Sequence, residues 1–536
     1  MESATSRALC LPEIVSTILS YVHDDFIERG DHTIFACTLV ASLWEIEANR
    51  SIWMSCGSSS GYSKLPYVRH LVAMPSDRRQ KYADYIKFLD ISTADTTGTD
   101  TGNRWEGRFH TILSPLSFPR LEQLELHSPK HDDTLKDDSL PLLQYLHSHL
   151  KTITIWTYQE SLDLVATEEF LTQVARVCKG LKQLFVRSFP PDNSVSPEVF
   201  ARLLQGIQSL TWLDWTHGMR GSMCGIAPSM SSDALRFLAY NPSLECLSLQ
   251  VLQDSWIRDL RPETLPPHSI FQSLLTLHCE LSTEGLEQLL PFWSGLRQLE
   301  ITAQAGSIHA FSVIANASFE RLNHLGVNPC LGTTILATDL LRLANKAPQL
   351  EDIAIPMFYD DDDATLPVCP DLDDAVLDRI SASLPSLQNF HLLFDNPTGL
   401  TEKSLSSLGR NCPSLQYCSL SAAFDWKKLA EETPSESLSR LCRLKVAGPD
   451  DAEHEVHEDR DVHEIARGIK KIMPSLNHFD AWGDWALDSA MSRVLNPHID
   501  WDGLHDEAAN EDVATNEPIP DDTAQENEPS GDLAGD

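Results

Sequence analysis

The sequence predicts an α/β solenoid in which parallel strands line one side and helices line the other. A frame of apolar residues, L-x-x-L-x-L or a close variant, recurs fourteen times. From Leu121 to Leu476 the copies advance by 355 residues in twelve steps, a mean near 30. Between copies lie stretches whose apolar residues recur at the spacing of a helix. Because one strand and one helix cannot bury their own apolar faces, such units must stack.

Each copy of the frame predicts one short strand. Its last two apolar residues alternate with polar neighbours, as in Leu124-Glu125-Leu126, which is typical of a strand with one buried face. Helices are predicted between the strands, for example over 169–177, 196–207, 284–290 and 371–384, and several follow a Ser, Thr or Asp that can cap them. The fourteen copies begin at Ile86, Leu121, Leu150, Leu181, Leu210, Leu244, Leu274, Leu296, Leu322, Leu350, Leu387, Leu415, Leu441 and Leu476.

This frame and its period resemble those of the leucine-rich-repeat family at its longer repeat length. The resemblance implies a solenoid of about fourteen repeats over residues 85–497, with the strands on a concave face and the helices outside. The alternative is that leucines recur by chance in several unrelated α/β domains.

A different pattern precedes the repeats. Pro12 opens a segment whose apolar residues, including Ile14 and Ile18, fall on one face of a helix. A second apolar segment follows over 34–44, and a third ends at Trp53. These segments predict a small all-α domain over residues 8–56, joined to the repeats by a helical connector or cap over 57–84.

The order of residues in this domain resembles the F-box: Leu11-Pro12-Glu13-Ile14, then Cys37-Thr38-Leu39-Val40 with Trp44, then Trp53. An F-box ahead of such repeats is the layout of F-box/leucine-rich-repeat proteins. The resemblance implies that these helices bind a Skp-type adaptor, which connects to a cullin scaffold. The residues assigned to the adaptor contact are Leu11, Pro12, Ile14, Ile18 and Leu39. Trp44 and Trp53 are either contacts or internal core, and the whole domain is alternatively a cap that shields the first repeat.

Composition limits the partners and the compartment. With 41 basic and 78 acidic residues the formal net charge is −37, so nucleic acid and an anionic membrane are not expected partners. A tail over 498–536 is predicted to be disordered, since 13 acidic and no basic residues lie between Ile499 and Asp536. Twelve scattered cysteines without a C-x-x-C pair, no secretory signal and no long apolar run predict a cytoplasmic or nuclear protein.

No motif of catalytic chemistry occurs in the sequence. Phosphate-binding loops, nucleophile elbows and zinc-protease motifs are all missing. The acidic run Asp360–Asp363 and the His- and Glu-rich stretch over 453–463 lack the ligand spacing of a calcium or zinc site, and both are interpreted as surface loops. The sequence predicts no catalytic residue, no metal and no cofactor.

The concave face is the predicted binding surface. Its side chains alternate with the buried leucines, and exposed aromatic residues among charges are typical of interface hot spots. The residues assigned to substrate binding are Trp156, Arg187, Trp482 and Trp485. The sequence therefore predicts the substrate-recognition subunit of a cullin-type ubiquitin ligase, whose target is an unknown protein with a basic segment favoured by the acidic body. The alternative is a leucine-rich-repeat scaffold with no link to ubiquitylation.

Overall fold

The structure is a computed structural model of the 536-residue chain. It describes residues 11–25, 42–56, 68–92, 113, 115–127, 142–156, 168–187, 195–216, 230–260, 270–357, 366–395, 399–422, 424–432, 438–447, 459–482 and 485–495. Leu39, the Asp360–Asp363 run and the tail over 498–536 lie outside these residues, so their predictions stay predictions.

The described strands form one parallel sheet of fifteen strands in sequence order. Their bounds are β1 Ser55–Cys56, β2 Phe88–Ser92, β3 Gln123–His127, β4 Thr152–Trp156, β5 Gln183–Arg187, β6 Trp212–Thr216, β7 Cys246–Val251, β8 Thr276–Leu281, β9 Gln298–Ala303, β10 His324–Asn328, β11 Asp352–Ile355, β12 Asn389–Leu392, β13 Tyr417–Ser421, β14 Arg443–Ala447 and β15 His478–Trp482. The last two apolar residues of all fourteen predicted copies lie in β2–β15, which confirms the repeat.

The register of the strands builds the core as rows of like residues. Leu124, Ile153, Leu184 and Leu213 are Cα partners in four successive strands, and all four are buried. Because side chains alternate across a strand, the residues between these rows face the other side of the sheet. That second face carries the polar side chains.

Helices pack behind the buried rows. Their bounds are α1 Pro12–Asp25, α2 Ser42–Ile52, α3 Val68–Ala73, α4 Ser76–Ala83, α5 Glu168–Val177, α6 Pro197–Gly206, α7 Ser232–Ala239, α8 Asp254–Arg258, α9 Thr283–Leu289, α10 Ala310–Asn316, α11 Ala337–Lys346, α12 Asp374–Ala382, α13 Glu402–Asn411, α14 Trp426–Glu432, α15 Asp459–Ile472 and α16 Trp485–Leu495. From α5 onward each helix packs on the next. Several begin as the sequence predicted, since Ser282 and Asp373 accept the backbone N–H groups of Gly285 and Val376.

The spacing of the two layers requires the stack of repeats to curve. Neighbouring strands lie about 4.8 Å apart, whereas packed helices need about 8–10 Å between their axes. A stack of such units bends so that the strands take the inner, concave side. The fold is therefore an α/β leucine-rich-repeat solenoid, as the sequence predicted.

Strand β1 was not predicted, and it adds a repeat at the N-terminal end. Its Cys56 is the Cα partner of Leu89 in β2, so Trp53 takes the position of the first leucine in the frame. Trp53 is buried, and its ring lies 5.1 Å from that of Tyr82. Trp53 is thus a core residue of the first repeat. The frame was hidden because Trp53 stands where every other copy carries Leu or Ile, and the polar Ser58 stands at the last apolar position of the frame.

Candidate functional site

Helix α1 has a buried face and an apolar face that is left open. Val15 and Leu19 are 0% and 1% exposed, whereas Leu11 and Ile14, also apolar, are 49% and 37% exposed. The backbone N–H groups of Ile14 and Val15 both donate to the Leu11 carbonyl, which fixes Leu11 at the start of the helix. Pro12 is exposed and Ile18 is half-buried. Leu11, Ile14 and Ile18 therefore lie on or at the edge of the open face, and Pro12 is exposed in the first turn of the helix.

Helix α2 anchors this open face to the solenoid. It packs on α1, and its Ala48 and Ile52 side chains are buried. The buried carboxylate of Glu47 accepts from the Arg50 guanidinium at 2.9 Å, and that guanidinium also lies 5.9 Å from the centroid of the Tyr85 ring. The two helices are thereby held against the first repeat, while Leu11 and Ile14 point away from the core.

Of the four residues assigned to substrate binding, the structure describes the side chain of Trp156 and only the backbone positions of the other three. The half-buried Trp156 donates its indole N–H to Glu125 Oε1 at 2.7 Å. Arg187 is the Cα partner of Trp156 in the neighbouring strand. Trp482 is the last residue of β15, and Trp485 is the first residue of helix α16. The side chains of Arg187, Trp482 and Trp485 lie outside the described part of the chain.

A polar network crosses the middle of the concave face. His324 Nε2 lies 3.2 Å from Glu300 Oε1, and His324 Nδ1 lies 3.5 Å from Asp352 Oδ2. The Gln298 amide donates to Glu300 Oε1 at 2.8 Å, and His278 Nδ1 lies 3.9 Å from Glu300 Oε2. The sequence did not single out His324 and Asp352. Each comes directly before the apolar pair of its frame, whereas the concave face was assigned from the residues between and after the pair.

The network perturbs the ionisation of its members. Burial acts to raise the pKa of Glu300, but the hydrogen bond from His324, the charge of His278 and the Gln298 amide outweigh it and lower the pKa to about 2. Burial likewise acts to lower the pKa of His324, but Asp352 and Glu300 raise it to about 9. Near neutral pH the two side chains therefore form an ion pair.

The buried thiols lie in an environment that suppresses nucleophilic chemistry. Burial raises the pKa of the Cys178 and Cys412 thiols to about 12, so the reactive thiolate is scarce at neutral pH.

Within the described residues no cluster of three His, Cys, Asp or Glu side chains could hold a metal ion. In the same residues, no helix combines the length and apolar character needed to cross a bilayer.

Comparisons with known proteins add similarities of fold. No family model matches the chain, and no curated protein matches it. Among solved structures, it is similar to a chain of the Rad7 and Elc1 complex from yeast, with 14% identity and a TM-score of 0.37 over 66% of this chain and 75% of that one. It is also similar to the leucine-rich repeat-containing protein LegL7 from Legionella pneumophila, with 13% identity and a TM-score of 0.28 over 64% of this chain and 98% of that one.

Proposed function

We propose that this chain is the substrate-recognition subunit of a cullin-type ubiquitin ligase in the cytoplasm or nucleus. Helix α1 and its neighbours bind a Skp-type adaptor, and the adaptor joins the chain to a cullin scaffold. The concave face of the solenoid binds the protein to be modified. The chain itself contributes no catalytic residue, because another subunit carries the thioester chemistry.

The observation that carries this proposal is the open apolar face of α1. A helix that served only as a cap would bury Leu11 and Ile14 against the first repeat. Both side chains are instead exposed, while Val15 and Leu19 on the same helix are buried. Apolar side chains held out by a well-packed helix are typical of a surface that a partner covers. The F-box-like order of residues in the sequence favours a Skp-type adaptor as that partner.

The proposed mechanism is one of proximity. A receptor that holds its target beside the ubiquitin-carrying subunit raises the effective concentration of target lysines and restricts their orientation. A solenoid suits this task, since its fifteen described strands belong to one continuous sheet. Such a sheet keeps the target-binding face at a fixed distance from the adaptor-binding helices.

A pull-down with a purified Skp-type adaptor tests the proposal. The test variant is Leu11→Ala/Ile14→Ala, which removes the two exposed apolar side chains of this face. The matched control is Leu331→Ala/Leu336→Ala, which removes two equally apolar residues that are 69% and 46% exposed in the segment between β10 and α11. We expect wild type and control to bind and the test variant to lose binding, with all three showing the same circular dichroism.

Two outcomes would overturn the proposal. If the wild-type chain does not bind the adaptor, the chain is a leucine-rich-repeat scaffold without a link to ubiquitylation. If the control variant loses binding to the same extent as the test variant, the adaptor is attracted by exposed leucines in general, and α1 is not its site.

A further inference from the structure

The last two strands carry a cluster of exposed basic side chains at one edge of the sheet. Arg443 and His478 are the first residues of β14 and β15 and are Cα partners, so they stand side by side on the concave face. Arg440 lies three residues before β14, and Lys471 is the penultimate residue of helix α15, which precedes β15. All four side chains are exposed. These four residues are called the basic edge below.

Hydrogen bonds hold the parts of the basic edge together. The Leu438 N–H donates to the Ile472 carbonyl at 3.3 Å. The Ser475 hydroxyl donates to the Ser439 carbonyl at 2.6 Å. These two bonds join the segment that enters β14 to the segment that leaves α15, so the basic edge is one continuous surface.

The basic edge lacks bound counter-charge in the part of the chain that the structure describes. There, neither of its arginines nor Lys471 forms an ion pair, and Lys445, the next concave residue of β14, is already 3.7 Å from Asp480. The segments that lead into β14 and β15, residues 438–442 and 473–477, contain no acidic residue. Elsewhere along this edge carboxylates precede the strands, such as Glu320 before β10 and Glu351 before β11. The edge is therefore open to an anionic segment.

Helix α16 brings the chain back to this edge. It begins at Trp485, just after β15, and the Ala481 N–H donates to the Asp488 carboxylate at 3.1 Å, so its first turn lies beside the C-terminal end of the strand. Helix and strand are both about 16 Å long. The last two helical residues, Val494 and Leu495, still pack against the core. The helix therefore ends beside the N-terminal end of β15, where the basic edge lies.

The sequence that follows α16 is strongly acidic. Forty-one residues come after Leu495, and between Ile499 and Asp536 thirteen residues are acidic and none is basic. A chain of this length spans about 35 Å even when coiled. The helix layer and the sheet are only about 10 Å apart, so the tail is long enough to reach the basic edge.

We infer that the acidic tail over 498–536 docks on the basic edge of its own chain. Its carboxylates pair with Arg440, Arg443 and Lys471 and accept a hydrogen bond from the His478 imidazole. Because the tail is tethered beside this edge, its effective concentration there is high, and several weak exposed ion pairs are enough to hold it.

The docked tail covers the N-terminal ends of β14 and β15 on the concave side. A target segment that binds at these strands must displace it, so the tail restricts access to the last repeats. This inference goes beyond the proposed function and does not rest on the adaptor or on a role in ubiquitylation.

Carbodiimide cross-linking of the full-length chain tests the contact, because this reagent joins a lysine amine directly to a carboxylate that touches it. We expect mass spectrometry to find Lys471 joined to carboxylates within residues 511–536, beyond the stretch that the tether alone keeps nearby. The link between Lys151 and Glu122, whose charged atoms lie 2.5 Å apart, is the internal standard for the yield. Mixing isotopically labelled and unlabelled chains in equal amounts shows whether each link lies within one chain.

Two matched variants distinguish a docked tail from a tail that only collides with Lys471. Arg440→Gln/Arg443→Gln keeps the reporter lysine and is expected to lower the yield of its link to the tail by about threefold, as loss of two exposed ion pairs allows. Arg297→Gln/Arg321→Gln removes two exposed arginines that precede β9 and β10 at the same edge and is expected to leave the yield unchanged.

Four outcomes would overturn the inference. Lys471 is not joined to the tail in the wild-type chain, or its links join labelled to unlabelled chains as often as they join residues of one chain. Alternatively, Arg440→Gln/Arg443→Gln leaves the yield unchanged, or the control variant lowers it to the same extent. An adaptor that fails to bind would leave this assay unaffected.

Discussion

Glu300 and His324 form an ion pair that runs diagonally across strands β9 and β10. The Cα partner of His324 is Gln298, and the Cα partner of Glu300 is Gly326. A Cβ atom on Gly326 would lie 3.3 Å from Glu300 Cγ and would meet the Met357 side chain at a closer distance still. The glycine therefore leaves room mainly for the Met357 side chain and also for that of Glu300. The concave face is fixed at this point by side chains rather than by backbone pairing alone.

The ion pair predicts a specific dependence of stability on pH. The pKa of His324 rises from 6.5 in the unfolded chain to about 9 in the fold. Its contribution to the free energy of unfolding is therefore complete below pH 6.5 and is lost as the pH rises through 9. We expect His324→Gln to be less stable than wild type by about 2 kcal/mol at pH 6, with the difference disappearing above pH 9. Urea denaturation of both proteins across this pH range measures the effect, and a difference that does not change with pH would contradict it.

Glu300 predicts the complementary behaviour on the acid side. Its pKa falls from 4.5 to about 2, so its contribution is present above pH 4.5 and is lost as the pH falls through 2. Removing its charge also removes a main cause of the raised pKa of His324. We expect Glu300→Gln to lower the pKa of His324 toward 6.5, as measured by NMR titration of the imidazole. If the pKa stays near 9 in that variant, Asp352 alone holds the proton.

The repeat itself could be predicted because its signal is redundant. Fourteen copies place their apolar pairs in β2–β15, so one weak copy, such as Leu274 with Cys279, is supported by its neighbours. Strand β1 lacked this support, since Trp53 and Cys56 replace the leucines and no earlier copy precedes them. Periodicity identifies an element only where the apolar residues that define the period are present.

The polar contacts of the concave face could be predicted only in part. The alternation with leucines placed Glu125 and Trp156 on the concave face from the sequence alone. The sequence could not pair the two, because they lie 31 positions apart and meet only through the register of adjacent strands. Asp352 was missed because only the residue between the two apolar residues of a frame, and the one after them, were assigned to the concave face. Asp352 comes before its pair, Ile353 and Ile355.

The contact between helices α5 and α6 predicts the cost of one added methyl group. A Cβ atom on Gly206 would lie 2.7 Å from the backbone oxygen of Ala175, a distance that ordinary packing does not allow. We expect Gly206→Ala to destabilise the protein by about 1–3 kcal/mol, because two packed helices must move apart. Gly295→Ala is the matched control, since the nearest atom to its Cβ is 4.0 Å away. Thermal unfolding of the two variants measures the difference, and equal melting temperatures would contradict the close approach.

The two faces of α1 predict opposite consequences for the same chemical change. Leu19 is buried and Leu11 is exposed, so both lose the same atoms on substitution by alanine but from different surroundings. We expect Leu19→Ala to lower the free energy of unfolding by about 2–5 kcal/mol, the range for a buried leucine. We expect Leu11→Ala to change it by less than about 0.5 kcal/mol, as is usual for a surface substitution. Urea denaturation compares them directly. If Leu11→Ala proved as costly as Leu19→Ala, Leu11 would belong to the core, and the open face proposed for the adaptor would not exist.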